Sequence, residues 1–169
     1  QVRNVIVQYS FERMAVGHGP AVIEIFNHYV ANSFAAYPES PMPPEFFHRL
    51  LQATEGYPAL VALAESGQVA GFGFLRSVHP ASTLRRIAEV TYFISPSFTR
   101  QGIGSALVAR LVEQAAPLGI DSLVASISSR NPESIAFHEK NGFHECGRFC
   151  RAGRKNGVDF DIVWMQKHL

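Results

Sequence analysis

The chain has 169 residues, 47% of them hydrophobic, with no break in composition, which suits one globular domain with a real core. Lys+Arg 15 against Asp+Glu 14 leaves a net charge of +1, far from what a protein gripping nucleic-acid phosphates needs, so small molecules are the expected ligands. No apolar stretch reaches the roughly 18 to 20 residues that span a bilayer, and the start QVRNVIVQYS has neither a basic n-region nor a cleavage site, so a soluble, cytoplasmic protein without membrane or nucleic-acid partners is expected.

Position 1 is Gln rather than Met, and a few residues ahead of it are expected to have been trimmed or left out. NVIVQYS opens as a strand. GPAVIEIFNHYVANS follows with Val22, Ile25, Phe26, Tyr29 and Val30 at helical spacing and Pro20 near its start. The proline-rich link YPESPMPP leads into a second helix, EFFHRLLQATEG, closed by Gly56. YPALVALAE and QVAGFGFLRSV, separated by Ser66 and Gly67, predict a hairpin, and RRIAEVTYFI predicts another strand. After the loop FTRQGIG comes a helix, GSALVARLVEQAAPLG, with Leu107, Val108, Leu111, Val112 and Ala115 on one side. Strand DSLVASIS, helix PESIAFHEKN, strand GFHECGRF and a final strand VDFDIVWMQ complete the chain. The order βααβββαβαβ(β) is that of a mixed α/β layer structure with one βαβ crossover around the glycine loop.

Cys146 and Cys150 lie in HECGRFC, where four residues of strand set their Cα atoms about 13 Å apart, beyond the roughly 7 Å limit of a disulfide. They cannot bridge within one strand. The seven His are scattered and no second Cys or His pair stands at ligand spacing, so no metal site is expected and the thiols are expected to be reduced.

A strand, a glycine turn and a helix start together make an anion site, because the first N–H groups of a helix have no internal partner and the dipole favours negative charge there. Gly102 and Gly104 occupy such a turn. The stretch is not a dinucleotide fingerprint, since position 107 is Leu and the next strand ends in serines, and it lacks the Gly-Lys-Ser/Thr of a nucleotide P-loop. An ordinary tight turn that needs Gly for its dihedrals is the other reading.

SRNPESIAFHEKNGF, one strand after this loop, resembles the second signature of the GNAT superfamily of acetyl-CoA-dependent N-acetyltransferases. Thr99-Arg100-Gln101-Gly102-Ile103-Gly104 resembles that family's pyrophosphate-binding motif, with Thr99 in place of the usual Gln or Arg. NHYV, EVTYFISP, FHEKNGF and GRKNGVDFDIVWMQ extend the resemblance over nearly the whole chain to the phosphinothricin acetyltransferase branch. The resemblance implies a mixed twisted sheet of about seven strands with helices on both faces, a homodimer, and acetyl-CoA as cofactor. It implies that Thr99, Arg100, Gln101, Gly102, Ile103, Gly104 and Ser105 cradle the diphosphate, with Asn131 and Ser134 also touching the cofactor.

Acetyl transfer to an amine requires loss of the amine's proton, stabilisation of an oxyanion and relief of charge on the departing thiolate. In RIAEVTYFI, Ile87, Glu89, Thr91 and Phe93 share one face and Ala88, Val90, Tyr92 and Ile94 the other. Both faces are largely apolar, so a carboxylate at Glu89 is costly unless it is paired or faces a wet cleft. Glu89 matches the catalytic Glu of the branch. Asn131, Ser134, His138 and Asn141 fall in an arc of about 80°, a polar stripe bordered by Ile135 and Phe137 that suits a cavity wall. Many GNAT enzymes carry a Tyr where His138 stands, supplying the proton to the leaving sulfur, whereas the phosphinothricin branch has His. Which of Glu89 and His138 is the base stays open, as does a purely structural role for the histidine. Asn131, followed by Pro132, is a well-formed helix N-cap. The resemblance implies that a main-chain N–H near Phe93 or Ile94 meets the oxyanion.

Phe34 and Tyr37 stand where the family builds its acceptor wall, with Thr91 as a further lining residue, though aromatics there are also ordinary core material. Arg154 and Lys155 either attract a carboxylate or the coenzyme A 3′-phosphate, or sit in a solvated turn. The expected activity is acetylation of a small amine, an amino-acid analogue of the phosphinothricin or methionine sulfoximine kind, by direct attack in a ternary complex. A sensor module that keeps the cofactor cradle without turnover, and an enzyme acetylating protein N-termini or lysines, are the readings from other classes.

Overall fold

The structure is a computed structural model that describes residues 8–169. The strand expected over NVIVQYS therefore lies mostly outside the described residues, and the first described strand, β1, is Ser10–Arg13. The remaining elements are α1 Gly19–Asn32, α2 Glu45–Ala53, β2 Ala59–Leu63, β3 Val69–Ser77, β4 Ile87–Ile94, α3 Ile103–Ala115, β5 Ser122–Ser128, α4 Pro132–Lys140, β6 His144–Lys155 and β7 Val158–His168. They form one open seven-stranded sheet in the order β1-β2-β3-β4-β5-β7-β6, the mixed α/β architecture expected. Among the described residues no helix is long and apolar enough to cross a membrane.

Alternation along the strands sorts the core into two layers. Phe72 and Phe74 of β3 and Val61 of β2 meet Val22 and Ile25 of α1 and Phe47 of α2 on one face. Leu75, Val90, Leu123, Ala125 and Val163 meet Leu107, Val108 and Leu111 of α3 on the other, with Ile135 and Phe137 of α4 packed against that cluster. Helices thus cover both faces.

β4 and β5 are the parallel pair, and their pairing is short: Ile87 with Ser122, Ala88 with Leu123 and Glu89 with Val124. Beyond Glu89 the two strands part, while β4 stays paired to β3 as far as Ile94 and β5 to β7 as far as Ser128. The gap is a wedge through the middle of the sheet.

Two expectations are corrected at the carboxyl end. β6 was expected to stop at Phe149 but runs to Lys155 across a register break between Phe149 and Gly153, where Arg151 N–H donates to Asp161 Oδ1 at 2.8 Å. As an edge strand exposed on both faces, it carries no alternating apolar signal. Lys155 is neither an anion anchor nor a solvated turn residue. It is 2% exposed, and its Nζ donates to the carbonyls of Val30, Ser33 and Ala36 at 2.8, 2.8 and 2.7 Å, satisfying the end of α1 and the loop after it. Asn156 N–H donates to Glu39 Oε1 at 2.8 Å, and Arg154 pairs with Asp159 at 2.5 Å. The β6–β7 turn is thereby pinned onto the segment that carries Phe34 and Tyr37.

Candidate active site

The wedge between β4 and β5 opens into a cleft of about 670 Å³. Its main-chain edge follows from the antiparallel ladder. Ser95 N–H donates to Ala70 O at 2.8 Å and Leu75 N–H to Pro58 O at 2.8 Å, which makes Phe72–Phe93 and Phe74–Thr91 the hydrogen-bonded pairs of β3 and β4. Val90, Tyr92 and Ile94 turn their main-chain groups the other way, toward the departed β5. Of the two residues expected to hold an oxyanion, Ile94 presents its N–H to the cleft and Phe93 does not. Phe93 contributes its ring, tilted against Tyr29 at 5.3 Å and Phe72 at 5.7 Å. Tyr29 donates its hydroxyl to the Ile94 carbonyl, and burial raises the Tyr29 phenol above its usual range.

The start of α3 closes one end of the cleft. Gly102 is its N-cap at φ 80°, a left-handed conformation that a β-carbon makes costly. The first helical bond beyond it is Ala106 N–H to Gly102 O at 3.1 Å, and the helix has no side-chain cap. The N–H groups of Ile103, Gly104 and Ser105 therefore have no acceptor within the helix, and all three residues line the cleft. Gly104 has a separate reason to be glycine. A β-carbon there would stand 3.1 Å from Phe137 Cε2, so its absence lets the first turn of α3 lie against α4. An uncapped, positively polarised helix end without an acidic residue in its first turn fits the diphosphate of coenzyme A.

Thr99 and Arg100 also line the cleft, Arg100 at a positive φ of 60°. The Thr99 hydroxyl donates to the Pro96 carbonyl at 3.1 Å, a bond that helps to hold the turn. Gln101 is not brought to the cleft; its side chain bonds Tyr9 and, at 3.4 Å, the Ser97 carbonyl.

On the α3/α4 side of the sheet stands His138, 3% exposed. Asn131 caps α4 as expected, its Oδ1 accepting from Ser134 N–H at 3.3 Å, and both residues line the cleft. The ring nitrogens of His138 can be assigned from their partners. Nδ1 lies 2.7 Å from the Ser134 carbonyl, which can only accept, so Nδ1 carries the proton and Nε2 is the acceptor. The Tyr92 hydroxyl stands at the same edge of the ring, 2.8 Å from Nε2 and 3.1 Å from Nδ1; with Nδ1 protonated, Nε2 is the nitrogen to which it can donate. Burial pushes the His138 pKa below its usual value, against the opposing effect of the Ser134 carbonyl, which keeps the ring neutral at pH 7. Burial also raises the Tyr92 phenol far above its usual range.

Glu89 and Thr91 line the cleft from the opposite side, the face covered by α1 and α2. Glu89 Oε2 accepts from Arg76 Nη2 at 2.9 Å and Nε at 3.2 Å, a direct cross-strand pair that satisfies one oxygen and leaves the other for the cleft. Phe34 and Tyr37 are not part of the cleft wall but adjoin it. Both pack on Phe160 of β7 with centroids 5.8 Å away, and the Tyr37 hydroxyl donates to Ser126 Oγ, on the cleft wall, at 3.3 Å. Burial, with a smaller push from the Glu89 charge and against the Ser126 bond, raises the Tyr37 phenol.

Tyr92, Arg76 and Ser126 are the site residues that sequence reasoning passed over. Tyr92 reads as one more apolar position of β4, and its partner is 46 residues away. Arg76 was discoverable in principle, since a hairpin followed by a second antiparallel strand places it opposite Glu89.

The model of the Acetyltransferase (GNAT) family matches residues 22–143. The chain is 30% identical over 164 residues to an L-methionine sulfoximine/L-methionine sulfone acetyltransferase of Pseudomonas paraeruginosa, covering 95% of this chain and 94% of that protein. A phosphinothricin acetyltransferase from Sinorhizobium meliloti, solved in complex with AcCoA, superposes with a TM-score of 0.88 at 31% identity, over 95% of this chain and 88% of that one. A ribosomal-protein-alanine N-acetyltransferase from Brucella melitensis superposes with a TM-score of 0.88 at 33% identity, over 95% and 99% of the two chains. With the uncapped α3 terminus at the open wedge of the sheet, these likenesses identify the chain as a member of the GNAT family, an N-acetyltransferase that draws its acetyl group from acetyl-CoA.

Proposed function

We propose that this enzyme, as a single acetyltransferase domain, acetylates the α-amino group of a small amino-acid analogue of the methionine sulfoximine or phosphinothricin type, by direct attack of the amine while both substrates are bound. The observation that carries the reading is the wedge beyond Glu89, where a carboxylate on one face and a buried neutral imidazole on the other flank a single cleft. Acetyl-CoA supplies an acetyl group already activated as a thioester. The α3 terminus holds the diphosphate on the His138 side, which leaves the Glu89 side to the acceptor.

There Glu89, oriented by Arg76, takes a proton from the bound ammonium, and Thr91 helps to position it. The main-chain N–H of Ile94, fixed by the Tyr29 bond to its own carbonyl, meets the negative charge that develops on the reacting carbonyl oxygen. His138 answers for the proton balance on the far face. Tyr37 and Phe34, packed on Phe160 beside the cleft in a segment whose main chain Lys155 holds, limit how far the acceptor can extend past Ser126. We also place the enzyme in the cytoplasm as a homodimer, in keeping with its free thiols at Cys146 and Cys150 and with the exposed Phe149 on edge strand β6.

The likeness to a ribosomal-protein-alanine acetyltransferase favours one second reading, acetylation of a peptide N-terminus. Thiol release measured over amino acids, their sulfone and sulfoximine analogues, polyamines and short peptides separates the two. Methionine sulfone or sulfoximine is expected to exceed any peptide in kcat/KM by at least about tenfold, a margin that the wall around one small side chain supplies. A peptide beginning with alanine outperforming them would refute the small-molecule reading.

A further inference from the structure

On becoming an amide, an acceptor ammonium loses two protons, and the departing sulfur gains one. Glu89 accounts for the first of these, before the amine attacks. A second group has to carry the other from nitrogen to sulfur. Neutral His138 is badly placed to do so alone, because its Nδ1 proton is committed to the Ser134 carbonyl at 2.7 Å and its Nε2 lone pair to the Tyr92 hydroxyl at 2.8 Å. The imidazole and the phenol are both largely withdrawn from solvent, and both residues line the cleft. The hydroxyl that occupies Nε2 is therefore the group through which a proton can reach it.

We propose that Tyr92 is a catalytic residue, its hydroxyl forming the cleft-side end of a two-residue proton relay with His138 behind it. This rests on the amine-acetylation reading above. As the C–N bond forms, the N–H bond of the attacking amine breaks and its proton goes to Tyr92 Oη, while the proton already on Oη passes to His138 Nε2. As the C–S bond breaks, its electron pair goes to sulfur, the imidazolium returns the Nε2 proton to Oη, and Oη gives up its proton to sulfur. Both residues end as they began, and the proton that left nitrogen stands on sulfur.

The surroundings suit this cycle. A phenol whose dissociation is made harder by burial does not drift into phenolate, so it moves protons only in concert with its partner. An imidazolium whose pKa burial has pulled below its usual value is a stronger acid than a thiol, whose pKa is about 8.5, and so yields its proton to the thiolate. The Tyr92 ring packs on Phe137 at 5.2 Å, and Tyr92→Phe keeps that contact while removing the hydroxyl alone.

The test joins kinetics on the full chain with an imidazole nitrogen spectrum recorded without substrates. Tyr92→Phe is expected to lower kcat roughly a hundredfold with both KM values within about threefold of wild type, and the double variant with His138→Ala to be no slower than the worse single one. In the free protein, the wild-type spectrum should show the Nδ1–H tautomer with a hydrogen-bonded Nε2, and Tyr92→Phe should move the Nε2 resonance toward that of a free lone pair. Wild-type kcat in Tyr92→Phe beside an inactive His138→Ala would overturn the relay, and so would an Nε2 resonance indifferent to the substitution. Failure of the underlying reading looks different: the wild-type protein would then release no thiol with any amine.

Discussion

Glu89→Gln is expected to lower kcat about a thousandfold while acetyl-CoA affinity stays within about twofold of wild type. Glutamine keeps the size of the side chain and can still accept a hydrogen bond from Arg76, but it cannot take up the proton of a bound ammonium. The loss therefore falls on turnover. Affinity for the cofactor is spared because Glu89 lies on the face of β4 that α1 and α2 cover, away from the α3 terminus. Stability changes little, since glutamine still accepts from Arg76, whose side chain is 47% exposed against 13% for Glu89, and no charge is left buried at position 89. Steady-state kinetics with calorimetry of cofactor binding checks the split. An equal loss in affinity and kcat would make Glu89 a structural residue of the wedge.

Gly102→Val is expected to weaken acetyl-CoA binding by about a hundredfold, the equivalent of roughly two or three lost main-chain hydrogen bonds at about 1 kcal/mol each. A β-carbon at this position would meet nothing within 4 Å, so crowding in the free protein is not the cause. The dihedral is. At φ 80° a β-branched residue is strained, and the chain relieves that strain by rotating the peptide groups that aim the next N–H bonds at the cleft. The global fold keeps its core, because Ile103 and Leu107 remain to anchor α3. Titration calorimetry of the variant measures the effect, and unchanged affinity would show that the diphosphate is held elsewhere.

The contrast between these two positions explains what the amino-acid sequence can disclose. Gly102 and Asn131 do their work within a few residues of themselves, as a turn dihedral and a helix cap, and local spacing announces both. The same holds for the alternation that puts Glu89 and Tyr92 on opposite faces of β4, and for the helical stripe that carries His138. The element order needed only these periodicities and one crossover. What stayed hidden depends on partners distant in the chain. The phenol of Tyr92 looks like core until α4 folds over it, and the charge of Lys155 looks like surface until α1 ends against it, 119 to 125 residues away. Edge strand β6 was cut short for a related reason: exposed on both faces, it lacks the alternation by which a strand is recognised.

A crystal structure of the chain with coenzyme A tests the account at its centre. The diphosphate should lie against the N–H groups of Ile103, Gly104 and Ser105, with the thiol reaching through the wedge to the Tyr92 hydroxyl and the face bearing Glu89 left open. A coenzyme bound along any other surface, with that helix start free of phosphate, would contradict it.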